Sequence, residues 1–124
     1  MIEPRDPIIG GIHEGSHGAL VRYLGLPLSY IIIDNKTGEA LDGNCMYTGG
    51  PSELQEAMIG CAGYIGECIF QFQIPTLEGM SLSTTSQDDY SRIKDYPNVG
   101  VVFQEVVDIL TDIFATCSPY YGAP

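Results

Sequence analysis

Two histidines four residues apart, His13 and His17, with Glu14 directly after the first, constrain this chain more than any other feature. A helix turns about 100° per residue, so positions i and i+4 stack on one face and both imidazoles can reach one tetrahedral ion at about 2.0–2.1 Å. Glu14, one step round, would face the water on that ion and take its proton as the water attacks a carbonyl. This is the HExxH pattern of metal-assisted amide hydrolysis. A helix can also carry two histidines for packing or solvation, and that reading competes with the first. Two further observations weigh against it. His13 and His17 are the only histidines in the chain, and Leu20, Val21 and Leu24 continue their face at i+3, i+4 and i+7 from His17. A histidine pair turned toward a core needs partners for its ring nitrogens, and a metal supplies them.

The helix that carries this pattern is expected to start at Pro7 or Ile8, capped by Asp6, and to stop at Gly25 and Pro27. Gly10, Gly11, Gly15 and Gly18 each cost it roughly 0.5–1 kcal/mol against alanine, so packing or metal has to hold it. Residues 28–33 are rich in isoleucine and read as a strand, with residues 39–47 as its hairpin partner. Residues 51–70 read as a helix with Ser52 and Gln55 at capping-box spacing and an apolar stripe of Leu54, Ala57, Met58, Cys61, Ala62, Ile65, Cys68 and Ile69. Gly60, Gly63 and Gly66 recur along it and permit close helix contact. Glu67 follows the stripe and needs a partner if it is buried. Residues 71–85 contain Pro75 and Gly79 and read as a surface loop. A helix that starts within residues 84–89 and runs to about Tyr96, a last helix over residues 98–116 and a tail from Pro119 complete the order.

At 124 residues the chain makes one domain spanning 1–124. The expected class is mainly α (α+β), with one small β-hairpin. A net charge of −11, with Lys and Arg only at Arg5, Arg22, Lys36, Arg92 and Lys94, argues against nucleic acid and anionic membrane as partners. The acidity serves solubility, and its sharper reading is a preference for basic substrates or partners. No apolar run reaches the roughly 18 residues that span a bilayer, and the N-terminus is no secretion signal, so a cytoplasmic protein is expected. Cys61 and Cys68, seven apart on one helix, would stand about 10 Å from each other, too far for a disulfide. Reduced thiols fit that compartment.

Three segments, in order, resemble the peptidase domain of FtsH-type ATP-dependent zinc peptidases. Gly11-Ile12-His13-Glu14-Gly15-Ser16-His17-Gly18-Ala19-Leu20-Val21 is similar to that family's HEAGHAVV segment. Cys61-Ala62-Gly63-Tyr64-Ile65-Gly66-Glu67 is similar to AGRxAE, and Ser86-Gln87-Asp88-Asp89-Tyr90-Ser91-Arg92-Ile93 to SNDLxxA. The resemblance implies a zincin-like helical domain in which Zn2+ is held by His13, His17 and Asp89, with Glu14 as general base. It puts Asp88 beside the third ligand as neighbour or cap, and it supports Glu67 as a buried carboxylate behind a ligating histidine. Gly15-Ser16 stands where the family has Ala-Gly, Tyr64 where it has arginine, and no ATPase module accompanies the domain. The implied substrates are therefore peptides or unfolded protein segments, with a homo-oligomer left open. A zinc-binding regulatory or protein-interaction module of the same fold, cleaving nothing, is the competing expectation.

Overall fold

A computed structural model describes residues 7–34 and 42–121. The chain runs α1 (Pro7–Tyr23), β1 (Leu28–Asp34), β2 (Asp42–Tyr47), α2 (Glu53–Phe70), α3 (Leu77–Leu82), α4 (Gln87–Ile93) and α5 (Val99–Tyr121), and is mainly helical. The cap expected at Asp6 and the first residues of the expected second strand, 39–41, lie outside the described residues.

α1 stops where its chemistry says it should. Gly25 takes φ +76°, the left-handed conformation that glycine adopts without a Cβ penalty. Its amide donates to Arg22 O at 3.0 Å and the next amide, Leu26, to Val21 O at 3.0 Å, which satisfies carbonyls the helix leaves bare. The chain then enters a two-stranded antiparallel sheet whose register runs from Leu28 opposite Tyr47 to Asp34 opposite Asp42. α2 begins on the expected box. Gln55 N donates to Ser52 Oγ at 3.1 Å and Ser52 N to Gln55 Oε1 at 3.0 Å.

The core is an interhelical one. Leu20 and Val21 of α1, Met58, Ile59, Cys61, Ala62 and Ile65 of α2, Met80 of α3, Ile93 of α4 and Val102, Phe103, Val106 and Leu110 of α5 are all buried together. Leu54, expected in the buried stripe of α2, is exposed, because it lies in the first turn, before the helix reaches the core. Cys61 and Cys68 are free thiols.

The segment expected to be a loop over residues 71–85 contains α3. Thr76 caps it by accepting from Gly79 N at 2.9 Å, and Met80 is fully buried against the core. A six-residue helix is too short to carry a readable period, so only its cap and one buried side chain mark it. Gly79 acts here as a space rather than a breaker: a Cβ on it would collide with the Tyr64 hydroxyl. The tail expected from Pro119 starts later, since α5 continues to Tyr121. A proline in a terminal turn removes one backbone bond, a smaller loss than in a helix interior.

Candidate metal centre

His13 and His17 are buried on α1, as their continuity with Leu20 and Val21 implies. Their rings meet edge to face with centroids 4.8 Å apart, and their Nε2 atoms stand 3.1 Å apart. The outer ring nitrogens decide the tautomers. His17 Nδ1 lies 2.6 Å from the carbonyl oxygen of Ile59, which can only accept, so Nδ1 carries the proton and Nε2 of the neutral ring is bare. His13 Nδ1 faces Glu67 Oε2 at 2.5 Å; a carboxylate there accepts the Nδ1 proton, which would leave Nε2 of the neutral ring bare.

Both bare nitrogens turn to one carboxylate. Asp89 Oδ2 of α4 is 3.0 Å from His13 Nε2 and 3.1 Å from His17 Nε2. With both rings neutral, three lone-pair donors would converge with no hydrogen among them, an arrangement that repels itself unless a cation sits between. Without a metal the available cation is a proton. Burial alone would lower the pKa of His13, but the hydrogen bonds and charges of Asp89 and Glu67 outweigh it and raise the value from 6.5 to about 9. Burial likewise opposes ionisation of Asp89, and the two histidines reverse that, holding its carboxyl well below the usual range.

The triangle of two nitrogens and one oxygen, with edges of 3.0, 3.1 and 3.1 Å, is also close to what a metal requires. Ligands at about 2.0–2.1 Å from a tetrahedral ion stand about 3.3 Å from one another. The space in front of them is a property of α2. A Cβ at Gly63 would lie 2.5 Å from both Nε2 atoms, so any residue other than glycine there would fill the place where the lone pairs meet.

Glu14 is buried beside this group, with Oε2 4.0 Å from His13 Nε2. Ligand atoms of His13, Glu14 and His17 all lie within 4.8 Å of one another, and this buried group could hold a metal ion. Glu67 is buried as well, at 8% exposure. Asp88 is the one named residue that the fold keeps apart from the imidazoles. It is exposed in the first turn of α4, where a negative charge favours the helix dipole, and consecutive residues of a helix point about 100° apart.

Three contributors had no signal, or only an ambiguous one, in the sequence. The carbonyl of Ile59 is backbone and carries none. Gly63 belongs to the glycine series on α2, readable as close helix contact but not as room for an ion. Cys61, fully buried, has its thiol pushed up to about 12 by desolvation, with the Asp89 carboxylate adding to the shift, so it is held neutral beside the site.

No protein-family model matches this chain, and no curated protein matches it.

Proposed function

We propose that this chain is a zinc-dependent peptidase with a zincin-like arrangement similar to that of FtsH-type peptidases. His13, His17 and Asp89 would hold the ion, and Glu14 would act as general base and then acid. The observation that carries this reading is the convergence of the two imidazole Nε2 atoms and one carboxylate oxygen next to a buried glutamate. Two histidines and one carboxylate are the donor set of catalytic zinc, in which a fourth position stays free for water. Zinc at such a set supplies a Lewis acid and lowers the pKa of bound water to about 7.

The chain's own groups then divide the work. Glu67 and the Ile59 carbonyl hold the two rings in the tautomer that presents Nε2 inward, and neither can donate a proton to compete. Asp89 brings one negative charge to the group. Glu14 can take a proton on a carboxylate oxygen and return it to the leaving amine, a role typically worth 10²–10⁴-fold. β1, one strand of a two-stranded sheet, presents an edge to which an extended peptide or unfolded segment could add.

The second reading is a zinc-binding regulatory module that cleaves nothing. The burial of the site favours it, since Glu14 is only 6% and His17 7% exposed, and a substrate must reach both. One set of measurements separates the two. Metal analysis of the purified chain should find one zinc, which His17→Ala abolishes. Cleavage of an unstructured casein digest should occur with wild type and be lost in Glu14→Gln at unchanged zinc content. Zinc without cleavage of any peptide in a broad library gives the module reading. Full zinc in His17→Ala refutes both.

A further inference from the structure

Between the C-terminal end of α1 and the middle of α5 lies a groove of ≈ 350 Å³, lined by none of the residues of the metal centre. Its walls are Tyr23 from α1 and Glu105, Asp108, Ile109, Asp112 and Ile113 from α5. The lining is mostly apolar. Ile109 and Ile113 are one helical turn apart and only half-buried, and Tyr23 is 59% exposed, so an exposed aromatic and two partly exposed aliphatic side chains line the groove.

The rim has a single sign. Glu105, Asp108 and Asp112 follow one another at i+3 and i+4 spacing, so the three carboxylates form one stripe along the helix. Among the described residues none of them has a cationic partner; Asp108 accepts only from the Gln104 amide, at 3.1 Å. Like charges at this spacing destabilise a helix by roughly 0.2–0.5 kcal/mol per pair, and the Gln104–Asp108 hydrogen bond offsets only about one such pair.

We propose that this groove docks a basic amphipathic helix of a protein partner, with its apolar side chains against Tyr23, Ile109 and Ile113 and its Lys or Arg side chains on the carboxylate stripe. Charge decides the occupant. A second copy of the chain, at net charge −11 with only five Lys and Arg, would meet the stripe with its own negative field, as would nucleic acid or an anionic lipid surface. Geometry decides its form. The carboxylates recur about once per 5.4 Å turn, so cations at i, i+4 and i+7 of a helix laid along α5 meet them in step, beside an apolar stripe of the same pitch.

The test uses the full chain and a fluorescein-labelled amphipathic peptide with leucines on one face and lysines at i, i+4 and i+7 beside them, followed by fluorescence polarisation. Binding should weaken with added salt and be absent for the same peptide with glutamate in place of lysine. The triple variant Glu105→Gln, Asp108→Asn, Asp112→Asn should weaken it by about tenfold, and Tyr23→Ala should weaken it without altering charge. A control triple with the same charge change on other exposed carboxylates, Glu56→Gln, Glu78→Gln and Asp95→Asn, should bind as wild type. Melting curves by circular dichroism establish that every variant is folded. Equal weakening in both triples would mean that the acidity of the whole chain, not the groove, attracts the peptide. Undiminished binding in the groove triple or in Tyr23→Ala overturns the proposal, and a dimer of the chain that the groove triple dissolves overturns the choice of occupant.

Discussion

Glu67 Oε2 stands 2.5 Å from Nδ1 of His13, a residue 54 positions earlier in the chain. That bond fixes which nitrogen of His13 is free to face Asp89, and it converts a buried carboxylate from a cost into a support. Glu67→Ala should therefore weaken zinc binding by roughly 10–100-fold while leaving helix content unchanged. A competition titration against a chelator reads this directly, and equal affinities for variant and wild type would show that the ring needs no such support.

Gly63 is expected to be intolerant of the smallest side chain. Alanine is favoured over glycine in a helix by roughly 0.5–1 kcal/mol, so Gly63→Ala would ordinarily stabilise α2. Here the new Cβ would come within 2.5 Å of both Nε2 atoms. The expected outcome is a folded protein that no longer holds stoichiometric zinc by metal analysis; a variant with full zinc content would mean that the ion sits elsewhere.

Without metal, stability should depend on pH through the same group. His13 has a folded-state pKa of about 9 against 6.5 for its ordinary value, so it contributes stability that is fully present below pH 6.5 and lost as pH rises through about 9. Asp89 is shifted down from 3.8, so its contribution is present above that value and lost as pH falls further. In EDTA the urea midpoint should be highest between about pH 4 and 6.5 and fall by pH 9. Added zinc should reverse the upper slope, because an ion held by His13 would displace its proton and bind more tightly as pH rises. A midpoint in EDTA that is flat from pH 6 to 9 would contradict the assignment.

Phe72 closes α2 in the left-handed conformation, φ 57°, that glycine usually occupies after a helix. Its amide donates to Ile69 O at 3.2 Å and the Gln73 amide to Cys68 O at 2.8 Å, while the ring is 98% exposed. The strain is thus not repaid by burial. Phe72→Gly should raise stability by about 0.5–1 kcal/mol in chemical denaturation, and a loss of stability would mean that the ring makes contacts in the folded state.

Local chemistry was legible in the residues themselves. The i, i+4 spacing of His13 and His17, the reciprocal cap of Ser52 and Gln55, the glycine stop at Gly25 and the isoleucine strand are each set within a few residues by helix pitch, capping and steric limits on φ. Those rules act at short range and need no knowledge of the rest of the chain. Convergence is different. Asp89 meets His17 across 72 positions: the resemblance of its segment to a known motif singled it out over Asp88, but the contact itself exists only because α4 packs against α2. The Ile59 carbonyl fixes a tautomer through a backbone atom that every residue has, and Gly63 matters for the space it leaves. The short helix α3 exists because Met80 is buried and Thr76 caps it. Each of these depends on where two distant segments come to rest against each other, and burial and packing alone decide that.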